Sequence, residues 1–242
     1  MDATTEDAAW PVGPKVDWRG PARTPERRPI EGDSVHLEPL DPERHGRALY
    51  EASHGAGSDP HLWRYLFVGP FPDEAAFRAW LDGCARSEDP LFFAIVDHAT
   101  GRPSGMASFM RITPGMGVIE IGNIWFAAAI QRTRQATEAI YLMARHAFEE
   151  LGYRRFEWKC DALNARSRRA ALRFGFTFEG IFRQHMVVKG RNRDTAWYAI
   201  VDGEWPAVKA SFERWLAPET FDAEGRQRVP LAGLNRQGVA QG

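Results

Sequence analysis

The chain has 242 residues and a formal net charge of -1, because 31 Lys and Arg residues nearly balance 32 Asp and Glu residues. A chain of this length can bury a substantial core. The balanced charge argues against a general nucleic-acid binder, since such proteins carry a positive field. Cys84 and Cys160 are too few for a disulfide framework or a Cys-rich zinc site, and the sequence leaves one disulfide between them open.

Both ends of the chain lack a helix or strand period. Residues 1–30 are predicted to form an extended N-terminal arm and residues 217–242 a C-terminal tail, around a domain of residues 31–216. Trp10 and Trp18 are unusual in a solvated arm, so packing on the domain, or on the partner of a homodimer, stays open. We find no signal-peptide pattern and no apolar run near the ~18 residues of a membrane helix, and we therefore expect a cytoplasmic protein without membrane contact.

The domain begins with a strand followed by two helices. Val35 and Leu37 alternate with polar neighbours, which is typical of a half-buried strand. Asp41 and the proline after it then predict the start of a helix that ends near His54. Asp73 predicts the cap of a second helix, whose apolar residues fall on one face.

Three strands and a long helix follow. Residues 91–97 form a continuous apolar run, and residues 105–112 and 118–126 are predicted to be strands joined by the turn "TPGMG". From residue 137 to 151, apolar side chains recur at helical spacing in one stripe: Ile140, Met143, Ala144, Ala147, Phe148 and Leu151. Gly152 then predicts the end of this helix.

In the last third of the domain, predicted strands again alternate with predicted helices. "RRFEWKCD" has the period of a half-buried strand, and Asn164 predicts the cap of a short helix that Gly175 ends. Two strands at about 177–188 and 194–201 precede a final helix with one apolar face. The sequence thus predicts a mixed α/β (α+β) domain with about seven strands.

The junction "QRTRQATEA", residues 131–139, lies between a predicted strand and the long helix. A helix N-terminus offers unpaired N–H groups and a positive partial charge, so this junction can bind a phosphate group. Arg132 and Arg134 can add guanidinium contacts. The alternative is a pair of solvated arginines in an ordinary loop. No P-loop and no Rossmann glycine pattern is present.

The series from Ile119 to Arg183 resembles the GNAT N-acetyltransferase superfamily, in its RimJ/RimL-like branch. The resemblance rests on a combination of motifs: "EIGN" on one strand, "ATEA" opening the long helix, then "N-x-x-S" and "GF-x-x-EG". It implies a GNAT fold, with about seven mostly antiparallel strands splayed at the centre of the sheet and helices on both faces. It also implies acetyl-CoA as the cosubstrate.

The resemblance also assigns roles to particular positions. The family's pyrophosphate loop, Gln/Arg-x-x-Gly-x-Gly/Ala, falls on Gln131, Arg134 and Ala136, so Arg134 replaces a glycine and loses the easy access of glycine to positive φ. The implied CoA-binding residues are Asn123, Ile124, Trp125, Phe126, Gln131, Arg132, Thr133, Arg134, Gln135, Ala136, Thr137, Asn164 and Ser167. The implied acceptor wall, for which core packing is the alternative, comprises Trp63, Tyr65, Phe67 and Phe71.

Acetyl transfer by direct attack needs a base for the amine and a proton for the departing thiolate. Glu120 is our candidate base, because a carboxylate in an apolar strand can have a raised proton affinity. Its alternative role is that of a salt-bridged structural carboxylate. Ser167 is the candidate acid. No nucleophile motif is present, which agrees with a mechanism lacking a covalent enzyme intermediate.

The sequence therefore favours an N-acetyltransferase that acts on a primary amine, either a protein N-terminus or a small molecule. A catalytically silent CoA-binding regulatory or scaffold module is the main alternative, because Arg134 stands at the usual glycine. RNA binding through "NARSRRAALR" and "KGRNR" is disfavoured by the balanced charge. The histidines show no metal-ligand spacing, so we expect no metal.

Overall fold

An eight-stranded sheet crosses the part of the chain that the computed structural model describes, which is residue 10, residues 12–222 and residues 225–239. The strands are β1 (Ile30–Glu31), β2 (Val35–Pro39), β3 (Leu91–Asp97), β4 (Arg102–Thr113), β5 (Val118–Phe126), β6 (Arg155–Asp161), β7 (Thr177–Val188) and β8 (Arg191–Val201). The helices are α1 (Pro42–His54), α2 (Glu74–Arg86), α3 (Arg134–Arg145), α4 (Ala165–Arg173), α5 (Trp205–Leu216) and α6 (Leu231–Val239).

The strands lie in the order β1-β2-β3-β4-β5-β6-β8-β7. Every neighbouring pair is antiparallel except β5 and β6, which are parallel. The predicted mixed α/β class is confirmed, and the described sheet has one strand more than the predicted seven. The additional strand is β1, whose two residues are too few to show an alternating pattern.

Side-chain caps fix where the helices begin. The carboxylate of Asp41 accepts hydrogen bonds from the backbone N–H groups of Glu43 and Arg44, and Asp73 accepts one from Ala76. Both caps agree with the sequence prediction. The long helix α3 starts at Arg134 rather than at residue 137, because the hydroxyl of Thr133 caps it.

Helices cover both faces of the sheet and enclose two apolar cores. The first core contains Ile140 of α3 and Phe212 of α5 packed on one face. The second contains Leu49 of α1 and Phe77 of α2 on the opposite face. Because the side chains of a strand alternate between faces, neighbouring positions on β5 and β6 point to opposite faces of the sheet.

The segments outside the predicted domain also pack on it. Trp18 donates its indole N–H to the carbonyl of Gly152 at 3.1 Å, whereas the side chain of Trp10 is 81% exposed. Helix α6, which the sequence pattern does not predict, buries Leu231 and Leu234. The domain limits stay predictions, and the parts of both segments at residues 1–9, 11, 223–224 and 240–242 lie outside the described residues.

No helix within residues 12–222 and 225–239 combines the length and apolar character needed to cross a lipid bilayer.

Glu38 fastens β2 to α1. Its carboxylate lies 2.9 Å from Nε2 of His45 and 2.8 Å from Nη1 of Arg44, and its other oxygen lies 2.9 Å from Nε2 of His36. Burial by itself raises the pKa of Glu38, but the hydrogen bonds with His36, His45 and Arg44 outweigh it and lower the pKa from 4.5 to about 2. The folded state therefore favours the ionised carboxylate.

We expect Glu38→Gln to lower the free energy of unfolding at neutral pH. The folded-state pKa is depressed, so the stabilisation is present above pH 4.5 and is lost as the pH falls toward about 2. Urea unfolding across this pH range should show the wild type and the variant converging in acid. The exposed carboxylate of Glu219 offers a matched control, Glu219→Gln. A wild-type advantage that persists unchanged at the acidic end would contradict this account.

Candidate active site

Strands β5 and β6 part in the middle of the sheet. They pair in parallel from Val118 opposite Arg155 to Ile121 opposite Trp158, and no further. Beyond this point β5 continues along β4, while β6 continues along β8. The edge of β5 from residue 122 to 126 therefore faces an opening, which is the splay that the resemblance implied.

A bulge in β5 coincides with the opening. Asn123 has a φ of 52°, and the register between β4 and β5 shifts between Met106 and Ser108. The side-chain amide of Asn123 donates to the hydroxyl of Ser108 at 2.9 Å and holds the bulge. A bulge bends its strand and disrupts the pairing locally, and β5 pairs with β4 again at Trp125 and Phe126. The predicted backbone contacts for CoA at Asn123, Ile124, Trp125 and Phe126 all lie on this open stretch.

The loop before α3 is tied to the end of β5. The amide of Gln131 donates to the carbonyl of Phe126 at 3.1 Å. Thr133 then caps the helix, so Arg134 and Gln135 are its first residues after the cap. Backbone N–H groups at these positions have no acceptor within a helix, and the helix dipole adds positive partial charge. The loop thus presents its anion-binding groups beside the opening in the sheet.

Arg134 occupies the usual glycine position without needing the backbone freedom of glycine. It is the first residue of α3, and the positive φ of this loop, 65°, belongs to Arg132. The Arg134 guanidinium lies 3.7 Å from the carboxylate of Asp33 and 6.0 Å from the ring centroid of Phe221. Its guanidinium is therefore directed toward Asp33 and Phe221, and the backbone N–H is the group that this position offers at the helix N-terminus.

Ser167 and Asn164 lie at the point where the strands part. The side-chain oxygen of Asn164 accepts from the backbone N–H of Ser167 at 3.1 Å and caps α4. The hydroxyl of Ser167 accepts from the indole N–H of Trp158 at 2.9 Å. Trp158 is the last β6 residue paired with β5 and belongs to the core beneath α3. The candidate acid is thus on the α3 side of the opening.

Glu120 lies at the same level on the opposite side of the sheet. It pairs with Glu157, while its neighbours Ile119 and Ile121 point into the α3 core. Its side chain is 5% exposed, and Oε2 accepts from Nζ of Lys159 at 2.8 Å. Burial raises the pKa of Glu120 above 4.5, against the opposing effect of Lys159. The candidate base is therefore a buried carboxylate one residue from the parting point.

The ionic neighbours of Glu120 were not among the sequence-predicted site residues. Lys159 is shared with Glu157, at 2.6 Å, and lies 3.8 Å from the ring centroid of Trp197. Arg111 reaches Glu120 at 3.3 Å from β4. The alternation of "RFEWKCD" puts Glu157 and Lys159 on one face of the strand, and this pattern could have predicted that the two side chains form an ion pair.

The predicted acceptor residues divide into two groups. Trp63 and Phe71 pack in the α1–α2 core, with ring centroids 5.4 Å apart. Tyr65 donates its hydroxyl to the carbonyl of Leu163 at 3.3 Å, and Phe67 lies beneath the guanidinium of Arg193 at 5.0 Å. The second pair thus contacts Leu163 and Arg193, while Trp63 of the first pair contacts Trp125 on the open stretch of β5, with ring centroids 6.1 Å apart.

The two cysteines are both buried and free. The disulfide that the sequence left open is therefore absent. Burial raises the pKa of Cys84 to about 12 and also raises that of Cys160. Neither thiol is suited to act as a thiolate nucleophile.

We expect Lys159→Met to destabilise the fold strongly. The substitution leaves the carboxylates of Glu120 and Glu157 buried without their shared cation, and breaking a buried ion pair in this way costs about 3–5 kcal/mol. Denaturant unfolding measures the loss. Lys209→Met is the matched control, because Lys209 pairs with Glu149 near the surface and such pairs contribute about 1 kcal/mol or less. Equal effects of the two substitutions would contradict a structural role for Lys159.

Parted strands beside an open helix N-terminus form the kind of site in which an acyltransferase can hold a CoA thioester. The sequence pattern of the acetyltransferase (GNAT) domain matches residues 35–177. The chain belongs to the GNAT acetyltransferase family.

Known structures and a curated relative agree with this assignment. A GCN5-related N-acetyltransferase from Brucella melitensis is 50% identical, with a TM-score of 0.88 over 91% of this chain and 99% of that one. A GNAT-family protein from Chromobacterium violaceum is 43% identical, with a TM-score of 0.74 over 81% and 99% of the two chains. The ribosomal-protein-serine acetyltransferase of Escherichia coli is 33% identical over 101 residues, which is 41% of this chain and 56% of that protein. The predicted membership in the GNAT superfamily is confirmed, and the similarity to the Escherichia coli relative agrees with the prediction of a RimJ/RimL-like branch.

Proposed function

We propose that this protein transfers the acetyl group of acetyl-CoA to a primary amine by direct attack. The observation that carries the proposal is the placement of Glu120 and Ser167. Glu120 is one residue before Ile121, the last β5 residue that pairs with β6, and Ser167 accepts a hydrogen bond from Trp158, the partner of Ile121. The two side chains lie on opposite sides of the sheet. An amine arriving from one side and a thioester from the other would meet there.

The residues of the opening fit the chemistry of CoA. The unpaired edge of β5 from residue 122 to 126 offers N–H and C=O groups that the amides of pantetheine can pair with. The N–H groups of Arg134 and Gln135 suit the pyrophosphate, as helix N-termini do elsewhere. Asn164 and Ser167 border the same opening from α4. We assign the cofactor to this surface.

The reaction then needs two proton movements. The amine nitrogen attacks the thioester carbonyl, the C–S bond breaks, and CoA leaves as the thiolate. Glu120 takes the amine proton, directly or through water, since burial raises its pKa and makes it a better base than an exposed carboxylate. Ser167 gives its hydroxyl proton to the thiolate, which leaves as the free thiol, and the serine regains a proton from solvent. Holding both reactants in register can supply roughly 7 to 11 kcal/mol of the barrier reduction in favourable systems.

We propose that the acceptor is an α-amine on a peptide or protein, with a small-molecule amine as the alternative. The name of the Escherichia coli relative concerns a ribosomal protein, which favours the first choice. Tyr65 and Phe67 lie on the side of the sheet that carries Glu120, where an acceptor would enter. A homodimer and a cytoplasmic location stay predictions.

The silent CoA-binding alternative depended on the loss of a loop glycine. Arg134 has helical backbone geometry, so the substitution requires no distortion of the anion loop. The main reason for expecting a silent protein is thereby weakened, and catalysis is the function that the site supports best.

Titration with desulfo-CoA, followed by an acetyl-transfer assay with peptide and small amines, tests the proposal. We expect saturable one-to-one binding, release of free thiol that requires an amine, and an acetylated product by mass spectrometry. Binding without transfer to any amine would favour the silent module. Absence of binding would overturn both assignments.

A further inference from the structure

A pair of histidines at the far edge of the sheet forms a second cluster of potential ligands. His36 is on β2, His98 directly follows β3, and Glu31 on β1 pairs with His36. One ligand atom from each of these three residues lies within 4.8 Å of the others. Strands β3 and β4 separate the cluster from β5, so it does not belong to the acetyl-transfer site.

The outer nitrogen of each imidazole faces an acceptor. Nδ1 of His98 lies 2.9 Å from the backbone carbonyl of Asp33, and Nε2 of His36 lies 2.9 Å from the carboxylate of Glu38. A carbonyl oxygen and an ionised carboxylate can only accept hydrogen bonds. Both outer nitrogens must therefore carry hydrogen. This arrangement is the one that metal-ligating histidines usually have, because a carboxylate or carbonyl orients the ring from behind.

The two inner nitrogens then point at each other with lone pairs. Nε2 of His98 and Nδ1 of His36 are 2.9 Å apart. If both rings are neutral, two lone pairs meet at this distance, which is unfavourable unless a cation lies between them. Either one extra proton is shared by the rings or a metal ion takes its place, with the carboxylate of Glu31 beside it.

We propose that Glu31, His36 and His98 form a binding site for a zinc-like divalent cation. Two imidazole nitrogens and one carboxylate are a ligand set that Zn²⁺ prefers, and they leave one tetrahedral position open for water. Two ligands at about 2.0–2.1 Å from a tetrahedral ion are roughly 3.3–3.4 Å apart, so the imidazole nitrogens need to separate by only about 0.5 Å. The ion would link β1, β2 and the end of β3.

The sequence predicts no such site because His36 and His98 lie 62 residues apart and show no ligand spacing. Only the pairing of β2 with β3 brings them together. The proposal is independent of acetyl transfer, since its ligands, its place in the sheet and its readout are separate from those of the opening.

Calorimetric titration of the tag-free, full-length protein with ZnCl₂ tests the proposal. We expect one-to-one binding, a higher thermal midpoint with saturating Zn²⁺, and visible absorption typical of tetrahedral coordination when Co²⁺ is used instead. His98→Asn keeps the backbone N–H that bonds to Ser34 and removes one ligand. Because loss of an outer-shell partner alone weakens metal binding about 10- to 100-fold, we expect this loss of a ligand to exceed about 100-fold.

His61→Asn is the matched control, because His61 is exposed and lies outside the cluster. It should bind Zn²⁺ as the wild type does. Absence of one-to-one binding in the wild type would mean that a shared proton alone occupies the site and would overturn the proposal. Equal binding by wild type and His98→Asn would do the same, because it would place the ion on other residues.

Discussion

Glu120→Gln is expected to lower kcat/KM by about 10²- to 10⁴-fold, the range usually supplied by a general base. Glutamine keeps the size of the side chain and can still accept the hydrogen bond that Lys159 donates at 2.8 Å, but it cannot take a proton. The affinity for desulfo-CoA should not change, because the cofactor is assigned to the other side of the opening. Steady-state kinetics and calorimetry together separate these two effects.

The pH dependence distinguishes a base from a structural carboxylate. Both the acceptor amine and Glu120 must lose a proton before attack, and burial raises the pKa of Glu120 above 4.5. In wild type, log kcat/KM should therefore rise with a slope of about two in acid and of about one after Glu120 has ionised. Glu120→Gln should show a slope of about one throughout.

Glu179→Gln provides the matched control for this experiment. Glu179 belongs to the same run of charges through its hydrogen bonds with Arg155, but it is on β7 and away from the opening. Glu179→Gln should keep the wild-type dependence of kcat/KM on pH. If Glu120→Gln still shows a slope of about two in acid, the second proton belongs to another group. Glu120 would then have only a structural role.

Local patterns predicted most of the elements because they depend on neighbours in sequence. The caps at Asp41 and Asp73 and the buried stripe of α3 are set by spacing alone. Strand β1 has too few residues to show a period. Helix α6 is short, and its two buried leucines gain their meaning only from the elements they pack against.

The site was less predictable, since its properties arise between strands. The place where β5 and β6 part was implied by family resemblance and not by any residue pattern, because pairing is a property of two segments. The partners of Glu120 come from two other strands: Arg111 on β4 is nine residues away and Lys159 on β6 is 39 residues away, and only the strand pairing brings both to the carboxylate. The Arg134 side chain could not be placed from the sequence either, because its contacts with Asp33 and Phe221 are tertiary.

The second large effect is expected at the start of α3. Arg134→Pro should weaken the binding of desulfo-CoA about 10- to 100-fold, because hydrogen bonds to charged groups contribute about 1.5–3 kcal/mol and proline lacks the N–H. Proline is well tolerated at the first position of a helix. Thr133 before it already has extended geometry, with φ of -96° and ψ of 177°, as a residue before proline requires.

Arg134→Ala isolates the backbone contribution from that of the side chain. Both substitutions remove the guanidinium that lies near Asp33, but only proline also removes the N–H. If the N–H groups of α3 hold the pyrophosphate, alanine should bind desulfo-CoA much more tightly than proline. Equal weakening by both would assign the effect to the guanidinium, and near wild-type binding by both would move the pyrophosphate away from this helix. Circular dichroism of the two variants would show whether α3 is retained, so that lost binding reflects a lost donor rather than a lost helix.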